Sequence, residues 1–283
     1  GVALCMGPFN YPLNETFTTL IPALIMGNTV VAKLPRYGAL CQAPLLRVFA
    51  EAFPPGVVNI VNGDGRTVAG PLVETGEIAA LAFIGSSRAA NVLKKQHPRP
   101  NRLRSILGLD AKNPAIVLPD ADLDLAVSEC VTGALSFNGQ RCTAIKLVYV
   151  QRRVAEVFVR KLADAIDALP FGMPWEPGVR LTPLPEEDKA ATLQRLVDDA
   201  VAKGAGVVNT HGGLGNRPFY FPSLVYPVDA RMALHSVEQF GPLVPVVPFD
   251  DLRQVVDEIV ASDFGQQASV FARDAGTVGP LVD

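Results

Sequence analysis

Val2-Ala3-Leu4-Cys5-Met6-Gly7-Pro8-Phe9-Asn10-Tyr11-Pro12 begins as an apolar run and breaks on a turn carrying two prolines. An apolar run bounded by Gly and Pro reads as a buried strand, and the prolines stop its ladder. The period then changes. Asn14 is an expected N-cap, and Phe17, Leu20, Ile21, Leu24 and Ile25 recur at helical spacing until Gly27-Asn28 supplies a left-handed stop. Thr29–Lys33 reads as the next strand, closed by Leu34-Pro35, and a helix over residues 43–52 leads to a strand over 57–61. This β-α-β-α-β rhythm predicts an α/β fold built on a parallel sheet.

The rhythm continues outward. Gly63-Asp64-Gly65, with Gly70 beyond, reads either as an ordinary turn or as a loose dinucleotide fingerprint, its spacing longer than G-x-G-x-x-G. A strand over 79–84 precedes Gly85-Ser86-Ser87. Small residues at a helix start leave N–H groups for an anion, and Ser86 or Ser87 could equally be a simple cap. Residues 103–109 and 115–118 read as short strands, and Asp120 or Asp122 starts a helix carrying Leu125, Val131 and Leu135. A domain change near Lys112 divides the chain into residues 1–112 and 113–283. In the second part, helices near 154–169, 186–203 and 252–262 alternate with strands over 145–150 and 243–249 and a shorter one over 207–209. Residues 219–228 are aromatic and broken by proline, so they read as loop or edge strand, and 269–271 begins one more strand.

Composition bounds the rest. At 283 residues, 49% hydrophobic and 19% charged, the chain has material for one large or two ordinary domains with a sizeable core. A net charge of −3 gives no reason to expect nucleic acid. Cysteines at 5, 41, 130 and 142 show no metal-ligand spacing, so no metal is expected; free thiols in a reducing, cytoplasmic compartment are. The uncharged stretch 16–32 is interrupted by Pro22 and Gly27-Asn28 and is too short for a membrane span. No signal peptide is visible. Both ends look cut, and a fragment of a longer protein is expected.

Phe137-Asn138-Gly139-Gln140-Arg141-Cys142-Thr143-Ala144 carries the chemistry. A lone Cys is otherwise a small buried apolar residue. Here it sits beside a cation and a glycine turn, where exposed N–H groups and positive charge favour thiolate, the nucleophilic form. The segment resembles the catalytic-cysteine segment of the aldehyde dehydrogenase superfamily, most closely its non-phosphorylating glyceraldehyde-3-phosphate dehydrogenase branch. Further segments match in family order: Pro8-Phe9-Asn10-Tyr11-Pro12, Pro22-Ala23-Leu24 with Gly27-Asn28, Lys33-Leu34-Pro35, Gly63-x-Gly65, Phe83-Ile84-Gly85-Ser86 and Glu238-Gln239-Phe240-Gly241-Pro242.

The resemblance implies a Rossmann-like nucleotide-binding domain followed by a catalytic domain. It implies oxidation of a small-molecule aldehyde in a protein that is a homo-oligomer at full length. Cys142 would attack the carbonyl, with the Asn10 amide and the Cys142 N–H holding the oxyanion. Lys33 would hold the adenosine ribose, Gly65, Gly85 and Ser86 would line the cofactor, Glu238 would bind the nicotinamide ribose, and Phe240 would lie against the ring. Many NAD-preferring relatives carry an acid three residues after the lysine. Arg36 stands there and suits a 2′-phosphate, so NADP is expected over NAD. Arg141 would bind a substrate phosphate, whose geometry fits a guanidinium fork.

One motif breaks the pattern. The family usually carries Glu-Leu-Gly-Gly-Lys where this chain has Gly108-Leu109-Asp110-Ala111-Lys112, so Gly108 replaces the base that activates the deacylating water. Asp110, two residues on in an extended strand, would share a face with Gly108 roughly 6.5–7 Å along. Three readings follow: Asp110 or another carboxylate is the base, coenzyme A is the acceptor as in acylating relatives, or the protein is a non-catalytic nucleotide-binding relative.

Overall fold

The structure, a computed structural model, describes residues 1–215 and 218–282, the side chain of Val282 excepted. It comprises two compact units, Gly1–Asp110 and Ala111–Asp283.

The first unit runs β1 (Val2–Met6), α1 (Asn14–Ile25), β2 (Thr29–Lys33), α2 (Ala43–Ala52), β3 (Val58–Val61), α3 (Gly65–Glu74), β4 (Ile78–Ile84), α4 (Ser87–Gln96) and β5 (Arg104–Gly108). All five strands are parallel, in the order β3-β2-β1-β4-β5. The period of two in β1 explains its central place. Leu4 and Met6 pack with Leu81, Phe83, Val73 and Leu93 on one face, while Ala3 and Cys5 pack with Leu20, Val30 and Ala32 on the other. The chain moves from β1 to β2 and β3 on one side, then returns to β4 on the other. The C-terminal ends of β1 and β4 therefore flank a switch point, where open α/β sheets bind ligands.

The second unit runs β6 (Pro114–Val117), α5 (Leu123–Leu135), β7 (Leu147–Gln151), α6 (Arg152–Asp167), α7 (Lys189–Ala202), β8 (Gly206–Val207), β9 (Ser223–Tyr226), α8 (Ala233–Ser236), β10 (Leu243–Phe249), α9 (Leu252–Val260), β11 (Ser269–Phe271) and α10 (Ala275–Val282). Its sheet order is β11-β6-β7-β10-β9-β8, parallel except for the β8–β9 pair. Val148 and Val150 of β7 face α5 and α6, packing with Cys130, Phe158 and Leu162. Leu147 and Tyr149 face the other way, toward Leu193 and Val197 of α7 and Val255 of α9. Burying a side chain the size of Phe158, which is 0% exposed, contributes about 2–3 kcal/mol.

Several expectations shift on inspection. Asn14 is the first residue of α1, not its cap; Leu13 holds that place without a side-chain bond. The strand expected at 145 starts at Leu147. The N–H of Ile145 goes instead to Gly133 O at 3.0 Å, which extends the turn after Cys142. Asp122 rather than Asp120 caps α5, accepting from Asp124 and Leu125 N–H at 3.1 Å. Asp120 instead accepts from the N–H groups of Arg273 and Asp274. The short strand expected over 207–209 is β8, Gly206–Val207. Residues 223–226 are neither loop nor edge, because β9 is covered by β10 on one side and β8 on the other. Among the described residues no helix is long and apolar enough to cross a membrane.

Candidate active site

In the first unit the expected cofactor residues gather at the C-terminal edge of the sheet. Lys33 ends β2, is buried, and has its pKa lowered by that burial, with the Asp64 carboxylate opposing. Just beyond it, Leu34, Pro35, Arg36, Ala39, Asn62 and Asp64 are among the residues lining a cleft of about 660 Å³. The exposed Arg36 guanidinium lies 5.4 Å from the Tyr37 ring centre. Gly65 opens α3, capped by Asp64, whose side chain accepts from Arg66 N–H at 2.8 Å; a Cβ on Gly65 would meet nothing within 4 Å. Ser86 caps α4 through Ala89 N–H at 3.3 Å, and a Cβ on Gly85 would run into Phe83 at 2.6 Å. Asn10 is half-buried in the bend after β1.

Asp110 is not on the face of β5 that an extended chain would give it. The ladder ends at Gly108, and the Asp110 carboxylate turns to accept the Ser87 N–H at 2.7 Å. A helix N-terminus favours an anion through its unpaired N–H groups and its dipole. This α4 terminus already holds one, the carboxylate of Asp110.

In the second unit the turn before Cys142 has a left-handed backbone. Phe137 (φ 55°), Asn138 (φ 57°) and Gly139 (φ 69°) follow one another there, a conformation that costs L-residues about 1–2 kcal/mol each. Side-chain bonds hold it. Asn138 Nδ2 donates to Thr182 O and Oγ1 at 3.1 Å, and its Oδ1 accepts Thr182 N–H at 2.9 Å. Gln140 Nε2 donates to Glu186 Oε2 at 2.5 Å. Asn113 Nδ2 donates to the carbonyls of Cys142 at 2.6 Å and Ala144 at 2.9 Å. Cys142 is half-buried with a free thiol. The two buried thiols are held protonated by burial, Cys5 pushed up to about 11 and Cys130 to about 12, while Cys41 is exposed.

Arg141 reaches back to the C-terminal turn of α5. Its Nη2 donates to Gly133 O at 3.0 Å, a position the helix dipole favours, and its ring contact is Phe137 at 5.8 Å. Its Nε is buried and finds no acceptor among the described residues.

Glu238 and Phe240 join this turn through a residue that the sequence reading passed over. Lys146 is 1% exposed; its Nζ donates to Arg141 O at 2.6 Å, pairs with Glu238 Oε1 at 2.7 Å and lies 5.1 Å from the Phe240 ring centre. Glu238 Oε1 also accepts Ala111 N–H at 3.1 Å. Lys112 Nζ donates to Val237 O and Gln239 Oε1, and Gln239 Nε2 returns to Lys146 O at 2.9 Å. Burial, with Lys146 nearby, lowers Lys112 to about 7 despite Glu238. Lys189 Nζ also lies 5.7 Å from the Phe240 ring centre, its pKa lowered by burial against Glu186 and Glu238. One signal for Lys146 was present: it is the single charge within Ala144-Ile145-Lys146-Leu147-Val148. The partnership of Lys189 with Glu238, far away in sequence, had none.

Comparison with known proteins agrees with this layout. The aldehyde dehydrogenase family matches residues 1–281. The NADP-dependent glyceraldehyde-3-phosphate dehydrogenase of Streptococcus equinus is 36% identical over 276 residues, 97% of this chain and 56% of that protein. Retinaldehyde dehydrogenase 3 of Rattus norvegicus is 34% identical over 277 residues, 97% of this chain and 54% of that protein. Among solved structures, NADP-dependent glyceraldehyde-3-phosphate dehydrogenase from Bacillus halodurans C-125, complexed with NADP, superposes with a TM-score of 0.91 at 35% identity, covering 100% of this chain and 58% of that one. The chain thus spans about half the length of the curated relatives it matches. With a parallel α/β unit and a family match over residues 1–281 in hand, the chain belongs to the aldehyde dehydrogenase family.

Proposed function

We propose that this chain is the cofactor-binding and nucleophile-bearing part of an NADP-dependent aldehyde dehydrogenase, with glyceraldehyde 3-phosphate as its aldehyde. The observation that carries this reading is the turn of Cys142 joined through Lys146 to Glu238 and Phe240. Binding alone would need no nucleophile beside the carboxylate that the family uses for ribose. The similarity to relatives named for NADP and glyceraldehyde 3-phosphate, in Streptococcus equinus and Bacillus halodurans, supports this choice of substrate and cofactor.

In this proposal Cys142 Sγ adds to the aldehyde carbon, and the carbonyl electron pair moves to oxygen. The Cys142 N–H and the Asn10 amide stabilise that oxyanion, an effect worth about 3 kcal/mol per donor. The cofactor, when bound, accepts hydride from the same carbon. The carbonyl re-forms as a thioester on Cys142. Glu238 orients the nicotinamide ribose, Phe240 keeps water from one side of the ring, and Lys33, Gly65, Gly85 and Ser86 hold the other half. Arg36 faces a 2′-phosphate. Arg141 exchanges its backbone acceptors for the oxygens of the substrate phosphate.

Transfer of the acyl group to water needs a base, and Gly108 has no side chain to be one. That glycine favours a second reading, in which the sulfur of coenzyme A displaces Cys142. The test is NADPH formation by the full-length protein with glyceraldehyde 3-phosphate, without phosphate or coenzyme A, beside Cys142→Ala. Sustained turnover that the control lacks is the expected result. A one-equivalent burst restarted only by coenzyme A selects the second reading. No Cys142-dependent NADPH or NADH with any of a panel of aldehydes would end the enzymatic interpretation.

A further inference from the structure

Lys146 sits where a strand pattern calls for an apolar residue. It lies between Ile145 and Leu147, and burying an unpaired ammonium there would be costly. Both ends of the residue are fixed. Its N–H donates to Asn113 O at 2.9 Å, its carbonyl accepts from Gln239, and its Nζ spans Arg141 O and Glu238 Oε1. The charged groups facing it are Glu238, Arg141, Cys142, Lys112 and Lys189, with Glu186 opposing Lys189. Burial lowers the pKa of Lys146, while the charge of Glu238 and of an ionised Cys142 pull it back up. A neutral donor such as Gln could make the hydrogen bond to Arg141. Only a cation also balances Glu238 and a thiolate in this setting.

We propose that Lys146 is a positioning residue of the reaction: it clamps the nucleophile turn to Glu238 and fixes a positive charge on the carbonyl of Arg141, the residue before Cys142. The roles of Cys142 and Glu238 in this statement rest on the functional reading above. The clamp itself rests on the distances. It places the Glu238 carboxylate and the backbone just before Cys142 on one side chain, so that displacing Glu238 toward a ribose changes the field at the sulfur.

The experiment is alkylation of Cys142 by iodoacetamide in the full-length protein, followed by peptide mass spectrometry from about pH 6 to about pH 10. Wild type is compared with Lys146→Met, Lys146→Arg and the double variant Lys146→Met/Glu238→Gln, which removes both buried charges and so spares the fold an unpaired one. Near pH 7, Lys146→Met is expected to react about 10-fold more slowly, the double variant, which loses a carboxylate with the ammonium, at a rate between Lys146→Met and wild type, and Lys146→Arg within about 3-fold of wild type. Near pH 10, where an ordinary exposed thiol is ionised with or without a neighbouring cation, the rates should converge; a merely structural loss would persist there. Lys146→Met reacting as fast as wild type near pH 7, a folded double variant slower than Lys146→Met, or a deficit unchanged by pH would overturn the proposal. Alkylation needs neither aldehyde nor NADP. Lys146 dependence without aldehyde oxidation would sink the functional reading and leave the clamp, and oxidation without Lys146 dependence would do the reverse.

Discussion

Gly139 lies against Gly241 so closely that a Cβ on Gly139 would sit 2.7 Å from the Gly241 carbonyl oxygen, and 2.8 Å from that of Ala134. Both neighbours are backbone, and neither can swing away. Gly139 is also left-handed at φ 69°. Gly139→Ala therefore carries two penalties and is expected to destabilise the protein by about 3 kcal/mol. Gly178→Ala is the control: its φ is 77°, but a Cβ there meets nothing within 4 Å, so it should cost about 1 kcal/mol. Thermal unfolding of the two variants compares them, and equal losses would refute the close approach.

The carboxylate of Asp110 on the N-terminus of α4 invites a test by Asp110→Asn. Asparagine keeps an oxygen for Ser87 N–H and removes the charge. With the cofactor phosphates proposed at this same terminus, removing a like charge should tighten NADP by about 5-fold, read by calorimetry. Weaker or unchanged binding would count against a phosphate seat at Gly85 and Ser86. If Asp110 is the base, the same variant keeps its first burst of NADPH and loses the turnover that follows.

Gly108→Glu returns a carboxylate to the place where the family keeps one. The nearest atoms to a Cβ there belong to the Ile84 side chain, at 3.3 Å, so Ile84 must shift by a few tenths of an ångström, and the backbone is not left-handed. Water-dependent release of the thioester should quicken by about 100-fold, measured as steady NADPH formation without coenzyme A. An unchanged rate would move the search for the base back to Asp110.

Acid should act through Asp167. Burial works against its ionisation, but Thr210 N–H, Asn209 and His211 N–H all donate to it, and its pKa falls from 3.8 to about 2. A depressed carboxylate stabilises the fold above its unfolded pKa, and that contribution disappears as pH drops from 3.8 through about 2. The gain is about 2 kcal/mol at neutral pH. Melts of Asp167→Asn should show that deficit near pH 7 and little difference near pH 2; a constant deficit would argue for geometry alone.

Much of this was legible in the residues. Period-two burial of Ala3, Leu4, Cys5 and Met6 and the helical recurrence ending at Gly27 announce a parallel sheet before any packing is known. Cys142 and Glu238 stood out by their neighbours. What stayed hidden depends on contacts between distant segments. The strand over 223–226 looked like an edge because Pro222 and Pro227 bracket it, and only the order of β8, β9 and β10 covers both sides. Lys146 was absorbed into an apolar run, since its partner Glu238 lies on a different element. Asp110 was read along an extended chain that in fact ends at Gly108, so the Ser87 N–H captures its carboxylate.

Asn113 carries a consequence for how the protein reaches its native state. Its carbonyl takes the N–H groups of Lys146 and Leu147, at the place where Pro114 pairs with Leu147, and its amide holds the carbonyls on either side of Thr143. The loop around Cys142 thus acquires its shape from the register of β6 against β7, across a gap of about 30 residues. A chain whose strands slip by one residue would turn Asn113 to the opposite face and release the sulfur from its setting. The reactivity of one thiol therefore reports when the second unit has finished pairing, a chemical clock for refolding that needs no substrate at all.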